Sequence, residues 1–136
     1  SKSELSDFSR INLTDNKETI ENKIKKAKTD PLELPETLQE LAERPEAQNL
    51  INIYASLDDS QPEKILAEFS GLPFSKFKPR LSELAVSKLA PISEKIQYLL
   101  KNEDYIDSIL RRGSLEAKKI ATPILKRTYE IVGLIN

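Results

Sequence analysis

The chain has 136 residues, with 21 Lys and Arg against 22 Asp and Glu, a formal net charge of −1, and no Cys, Met, Trp or His. A chain of this length can bury one core of ordinary size. Without Cys it can form neither disulfides nor thiolate metal sites, and without His it lacks the commonest metal ligand and general base, so we expect no bound metal in these residues.

The hydropathy pattern argues against a membrane protein. The chain contains no apolar run of about 18 residues and its first residues are polar, so we expect neither a transmembrane span nor a secretory signal. We therefore expect a soluble, cytoplasmic protein.

The charges are unevenly distributed along the sequence. Residues 1–30 have a net charge of +1, residues 31–73 of −7 and residues 74–136 of +5. A polyanion that binds this chain should avoid the middle and contact the two ends.

The first predicted helix lies within residues 12–30 and is strongly basic. Asp15, with Glu18 three residues later, forms a capping-box pattern that predicts the helix start. An apolar stripe then follows at helical spacing, through Ile20, Ile24 and Ala27. The rest of the helix surface is predicted to expose Lys17, Lys23, Lys25, Lys26 and Lys28.

Three prolines, Pro31, Pro35 and Pro45, divide an acidic connector in which residues 36–43 could form two helical turns. Residues 46–57 have apolar side chains at helical spacing. Pro62 opens another short helix, which Gly71 is placed to end.

From Phe74 the apolar residues hold one face over about five turns, which predicts the central core helix. That face comprises Leu81, Leu84, Ala85, Leu89, Ile92, Ile96, Leu99 and Leu100. Pro79 is expected in the first turn. Pro91 is expected to bend the helix, or else the helix breaks in two near Lys88.

Two further helices are predicted, one over residues 104–112 that ends at Gly113, and one from Ser114 to Gly133 with a bend at Pro123. Their inward faces are expected to include Tyr105, Ile106, Ile109, Leu110, Ala117, Ile120, Ala121, Ile124, Leu125, Thr128, Ile131 and Val132. No stretch has the period of a strand. The prediction is an all-α, bundle-like domain of five to seven helices.

No catalytic constellation is evident from residue types and spacing, since there is no Gly-rich phosphate loop and no Ser/His or Cys/His pair. The first residues, however, form a pattern with the basic helix. Three segments carry this pattern: Ser1-Lys2-Ser3, Asp15-Asn16-Lys17 and KIKKAKTD at 23–30. Together they resemble the end of the Lys-Met-Ser-Lys-Ser signature and its sequel in tryptophanyl-tRNA synthetases, which are class I aminoacyl-tRNA synthetases.

The resemblance extends over the whole chain. It continues through Arg44-Pro45-Glu46-Ala47, Asn49-Leu50, Ile53-Tyr54, Phe77-Lys78, Leu81, Leu89, Tyr105, Ile109-Leu110, Arg112-Gly113, Ala117, Ala121, Leu125 and Val132-Gly133-Leu134. It suggests the C-terminal part of a bacterial enzyme of this family. Residues 1–14 would be the tail of the signature loop from the catalytic domain, and residues 15–136 a C-terminal helical domain that recognises the anticodon.

The resemblance implies that the intact enzyme condenses Trp with ATP, assisted by Mg²⁺, to tryptophanyl-adenylate and then charges tRNA(Trp). Lys2 would be the catalytic lysine that neutralises the leaving pyrophosphate, and Ser1 and Ser3 would bind ATP beside it. It also implies a homodimer. The family's nucleotide-binding fold would precede Ser1, so we expect these residues alone to bind no cofactor and to be inactive.

The basic C-terminal segment is the candidate tRNA surface. Its members are Lys76, Lys78, Arg80, Arg111, Arg112, Lys118, Lys119, Lys126 and Arg127. The alternative is a stand-alone helical protein-interaction domain without an RNA partner, for which the acidic middle would be the docking surface. A self-sufficient enzyme is disfavoured because no site is evident.

Overall fold

The structure, a computed structural model, describes residues 5–134 as helices joined by short loops. A 3-10 turn, Asp7–Ser9, precedes six α-helices: α1 Lys17–Lys26, α2 Leu38–Ala42, α3 Pro45–Asp58, α4 Pro62–Phe69, α5 Phe74–Leu100 and α6 Glu103–Val132. No residue from 5 to 134 is in a strand. The all-α class and the predicted number of helices are therefore confirmed.

The chain divides into two compact units, Ser1–Ile96 and Gln97–Asn136. The first unit contains α1 to α4 and most of α5, and the second contains the end of α5 and α6. The functional division expected after residue 14 is a separate question and stays a prediction.

The hydrophobic core belongs to the first unit. Its largest fully buried side chains come from α1 to α5 and are Ile20, Leu41, Ile51, Ile65, Phe77 and Leu81. At its centre, Phe77 packs against two other rings, with centroids 5.6 Å from Tyr54 and 5.2 Å from Phe69. Such tilted and edge-on aromatic pairs stabilise a core beyond the area that they bury.

The start of α1 differs from the prediction. Asn16 is the N-cap, and its side chain accepts a hydrogen bond of 2.8 Å from the Thr19 backbone N–H. Asp15 lies one residue earlier and is buried, with its carboxylate bonded elsewhere. The prediction that Asp15 caps this helix was wrong, because Asp and Asn serve equally well as caps and both stand at the boundary.

Helix α5 is longer and less buried than predicted. It begins at Phe74, so Pro79 lies inside it rather than in its first turn, and it continues through Pro91 without the alternative break at Lys88. Its first half enters the core most deeply, where Leu81 and Ala85 are fully buried; in the second half Leu89 packs partly buried against the core, whereas Ile92 and Leu100 are exposed. The periodic pattern identified an apolar face but not the length over which a neighbour covers it.

Helix α6 corrects two predictions. Gly113 does not end a helix, since residues 103–132 form one continuous helix with Gly113 and Pro123 inside it; the positive φ values of glycine lie at Gly71 and Gly133. No residue of α6 is buried, so its apolar residues are not inward within the second unit. Among the described residues, no helix combines the length and the apolar character needed to cross a membrane.

An arginine clamp joins the connector after α1 to the start of α3. Arg44 donates from Nε to Asp30 Oδ2 at 3.0 Å and from Nη2 to Asp30 Oδ1 at 2.6 Å, and its Nη1 bonds the Glu33 carbonyl at 2.6 Å. Both side chains are largely buried. The hydrogen bonds from Arg44 hold the pKa of Asp30 below its ordinary value, against the opposing effect of burial.

We predict that Asp30→Asn lowers the free energy of unfolding by about 1.5–3 kcal/mol at pH 7, because it breaks a charge-assisted pair. The carboxyl has its ordinary pKa of 3.8 when unfolded and a lower one when folded, so acid favours the unfolded chain. The stabilisation is complete above the ordinary value and disappears as the pH falls through the folded pKa.

Urea titrations of the wild type and Asp30→Asn, at steps from pH 7 down to pH 2, measure this. The difference in the free energy of unfolding between the two proteins should shrink as the pH falls below the ordinary pKa of Asp30. Asp59→Asn, at an exposed acid, serves as the matched control. A difference between wild type and Asp30→Asn that does not vary with pH would contradict the account of the clamp.

Candidate functional site

Ser1, Lys2 and Ser3, the predicted ATP-binding and catalytic residues, lie outside the described residues. The structure does show the segment that follows them. The 3-10 turn Asp7–Ser9 begins after Ser6, whose hydroxyl accepts a 3.3 Å hydrogen bond from the Phe8 backbone N–H. How this segment is held against α1 therefore bears on any role of the first residues.

A buried ammonium group attaches this segment to α1. Lys23 Nζ lies 2.6 Å from Asp15 Oδ2 and 2.7 Å from Asp7 Oδ2. The Lys23 and Asp15 side chains are 4% and 9% exposed, whereas Asp7 is 54% exposed. Asn12 closes the network by donating from its side-chain amide to Asp7 and from its backbone N–H to Asp15.

The electrostatics of this network favour the charged forms. Burial alone would lower the pKa of Lys23, but its hydrogen bonds with Asp15 and Asp7 more than offset that effect and the pKa is raised. The Lys23 ammonium, followed by the Asn12 amide, holds the pKa of Asp7 below its ordinary value. Lys23 and Asp7 are therefore both charged at neutral pH.

The sequence analysis missed this network, because it placed Lys23 on the exposed face of the basic helix. That interpretation was wrong. A usable signal was present: Lys23 is three residues after Ile20 and four before Ala27, which puts it beside the apolar stripe. A lysine in such a place needs a nearby carboxylate, and Asp15 is the buried one.

Other cations of α1 and of the loop that follows it also interact within the chain. Lys26 Nζ lies 4.6 Å from the centre of the Phe8 ring, a cation–π contact that again joins α1 to the N-terminal segment. Lys28 forms a 2.9 Å ion pair with Glu46. The basic helix is thus less of a polyanion surface than its composition indicated.

The three predicted tRNA-binding residues of α5 differ in what they contact. Lys76 is exposed. Lys78 donates to the Ala27 carbonyl at 2.6 Å and to the Lys25 carbonyl at 3.2 Å, so it satisfies carbonyls at the end of α1, and burial lowers its pKa. Arg80 is exposed and lies 3.6 Å from Glu83.

A groove of about 720 Å³ lies beside Lys78, between α1 and α5. Its charged lining residues are Glu21, Lys25, Lys78 and Glu83. Because acidic and basic groups alternate there, the groove does not offer the uniformly positive field that a polyphosphate requires.

The six predicted residues of α6 lie on one side of that helix. Residues seven apart share a helical face, so Arg111 aligns with Lys118, and a second row follows beside it. The second row is Arg112, Lys119 and Lys126, with Arg127 at its edge. All six are exposed.

Most apolar residues of α6 lie on the opposite side of the helix. Leu110, Ala117 and Ile124 each lie two positions before a basic residue of the second row, which is about 200° around the helix, and Ile131 continues their row seven residues after Ile124. Local ion pairs on the basic side are exposed: Lys119 with Glu116 at 2.7 Å and Arg111 with Asp107 at 4.0 Å. Exposed pairs of this kind are weak and are readily exchanged for a phosphate.

The described residues do not fit a divalent-cation site. Between residues 5 and 134, no group of three or more acidic, His or Cys side chains could hold a metal ion.

Comparison with known proteins gives the family of this sequence. Residues 1–90 match the family described as tRNA synthetases class I (W and Y). The match includes the N-terminal segment, the core helices and the first half of α5.

Among individual proteins, the chain is similar to three that are named tryptophan–tRNA ligase. It is 49% identical over 136 residues to that of Rhizobium meliloti (strain 1021), 47% over 133 residues to that of Caulobacter vibrioides, and 48% over 136 residues to that of Agrobacterium fabrum. These alignments cover 100%, 98% and 100% of this chain, but 38%, 39% and 38% of the relatives. The chain thus spans less than two-fifths of their length.

Proposed function

This chain belongs to the class I tRNA synthetases (W and Y), and on that premise we propose that it is the C-terminal part of a tryptophan–tRNA ligase. In this proposal, the intact protein activates Trp with ATP and charges tRNA(Trp). The observation that carries the proposal is the identity of 46–49% over the whole chain to relatives that are all named for tryptophan. The family description alone covers both tryptophan and tyrosine.

Lys2 would act in the activation step. When the Trp carboxylate attacks the α-phosphorus of ATP, negative charge accumulates on the departing pyrophosphate, and a mobile ammonium group stabilises it most in the transition state. Ser1 and Ser3 would bind the phosphates with hydroxyl or backbone N–H donors. Mg²⁺ would arrive with ATP and supply further positive charge.

The basic side of α6 would contribute tRNA binding. Six exposed cations on one side of a long helix can contact several phosphates, which supply most of the affinity for a nucleic acid. The opposite side carries most of the apolar residues of the helix. The anticodon assignment of this domain and a homodimeric intact protein remain parts of the proposal, as does the cytoplasmic location.

The activation step is tested by pyrophosphate exchange with the intact protein that contains this chain. We expect exchange of label between pyrophosphate and ATP that depends on Trp, with at most about one-hundredth of the kcat/KM for Tyr, since a pocket built for one aromatic side chain excludes the other. Exchange that prefers Tyr, or no exchange with either amino acid, would refute the proposed function.

The tRNA surface leads to a separate prediction for the triple variant Arg112→Glu, Lys119→Glu and Lys126→Glu. Its affinity for tRNA(Trp) should fall by about tenfold or more, and the slope of log K against log salt should flatten by about 2, because about three phosphate contacts are lost. Titration of labelled tRNA(Trp) into the chain at low and moderate salt measures both quantities.

The matched control reverses three exposed lysines of the first unit, Lys17→Glu, Lys64→Glu and Lys88→Glu, which changes the net charge by the same amount. It should weaken binding much less. Equal weakening by both triple variants would mean that only net charge matters, and no loss from the α6 variant would remove α6 from the interface.

A further inference from the structure

We propose that Lys23 is a positioning residue for the signature: by holding Asp7 and Asp15 on α1, it fixes the base of the segment that carries Lys2. This inference rests on the proposed function, since it acts through the role of Lys2 in activation. It goes beyond that function because Lys23, Asp7 and Asp15 lie outside the signature residues themselves.

The buried Lys23 ammonium group is energetically costly. Burial of an ammonium group is unfavourable unless it is paired, and replacing a buried ion pair by apolar residues often leaves stability unchanged or improves it. Lys23 lies between core positions, since Ile20 and Ile24 of the same helix are almost completely buried. Apolar residues at positions 15 and 23 together would therefore suit the core, so the ion pair serves something other than stability.

The Lys23 charge attaches the 3-10 turn to α1. Of its two partners, Asp15 is buried beside the start of α1, but Asp7 is half exposed and belongs to the 3-10 turn. No buried residue lies in that turn, so the core does not hold it in place. The ion pair, with the Asn12 hydrogen bonds and the Lys26 contact to Phe8, attaches the turn to a helix that the core does hold.

Lys2 is close to Asp7 along the sequence. Lys2 precedes Asp7 by five residues, and five residues span at most about 18 Å when fully extended. Fixing Asp7 on α1 therefore fixes the point from which Lys2 is connected. Positioning a catalytic group in this way favours the reactive geometry, which is a gain in kcat rather than in substrate affinity.

The test uses Asp7→Asn in the intact protein, because Asp7 is exposed and Lys23 keeps its buried partner Asp15. We expect kcat of Trp-dependent pyrophosphate exchange to fall about tenfold with KM for Trp changed less than about twofold, the signature of an interaction that matters in the transition state. Lys23→Arg keeps a cation beside Asp15 and should retain more activity than Lys23→Met, which also leaves the buried Asp15 unpaired and destabilises the chain. Asp58→Asn, at an exposed acid paired with Lys64, is the matched control and should leave kcat unchanged.

A double-mutant cycle with Lys2→Ala makes the test specific. If Asp7 acts through Lys2, Asp7→Asn should change kcat less than about twofold once Lys2 is absent, because coupled residues are not additive. An unchanged kcat for Asp7→Asn, or a full additive loss in the Lys2→Ala background, would overturn the positioning role while leaving the proposed function intact. A wild-type protein without Trp-dependent exchange would instead refute the proposed function itself.

Discussion

Replacing Lys2 by alanine in the intact protein is expected to lower kcat for tryptophanyl-adenylate formation by a factor of about 10² to 10³, the usual cost of removing one charge-stabilising donor from a transition state. In the proposed function, the ammonium group would meet a pyrophosphate whose charge grows as the bond to the α-phosphorus breaks, and its removal would forfeit that stabilisation. The KM for Trp should change less than about threefold, because the amino acid is bound before that charge develops. Pre-steady-state formation of adenylate, followed at saturating ATP and Trp, measures the two effects separately.

Lys17→Ala is the matched control for this experiment, since Lys17 is an exposed lysine on α1. It should leave both parameters unchanged. If Lys2→Ala weakened Trp binding and slowed the chemical step by equal factors, the leaving-group role would be wrong.

Truncation of Phe77 to alanine is expected to cause the largest loss of stability, about 3–5 kcal/mol. The Phe77 ring is fully buried and contacts both Tyr54 and Phe69, so its removal leaves a cavity between two rings that cannot close without moving α3, α4 and α5 together. Domains of this size are commonly stable by only about 5–15 kcal/mol, so the variant would lose a large share of the total. Urea unfolding monitored by helical circular dichroism measures it.

Phe8→Ala makes the same chemical change at a half-exposed ring. It removes only the contact with Lys26 and partial burial, so we expect a loss below about 1 kcal/mol. A similar loss from both substitutions would show that the ring cluster is not the centre of the core.

The sequence predicted the helices of the first unit well, because each of them has a local signal. Pro45 and Pro62 stand at the first positions of α3 and α4, and the left-handed Gly71 follows α4. Such signals depend on backbone angles that neighbouring residues fix by themselves. The all-α class followed directly from them.

Predictions that depended on distant partners were less successful. The periodic pattern showed that α6 has an apolar side. It could not show whether other helices pack against that side, and among the residues that the structure describes none of α6 is buried. Gly113 was interpreted as a helix end, yet a glycine inside a long helix costs only about 1 kcal/mol, which the remaining turns tolerate. The prediction placed Pro79 in the first turn of α5, but Pro79 is the sixth residue of that helix and lies beyond its first turn.

The sequence grouped the basic residues of the candidate site but not their arrangement. Their shared side on α6 became evident only from the structure, because Gly113 had been interpreted as a break between two helices. The Lys23 network joins residues 7, 15 and 23, and the Arg44 clamp joins residues 30 and 44, across loops whose path the sequence does not specify. For the Lys23 network, the signal present in the sequence was a charged residue placed beside the apolar stripe of α1.

In the proposed function, activation depends on the signature segment and its attachment to α1, whereas tRNA binding depends on the basic side of α6. Comparing Trp-dependent pyrophosphate exchange and charging of tRNA(Trp) in the intact wild type and in its Arg112→Glu, Lys119→Glu, Lys126→Glu variant separates the two. We expect exchange to stay within about twofold while kcat/KM for tRNA falls about tenfold or more. Equal loss of both activities, or no loss of charging, would contradict it.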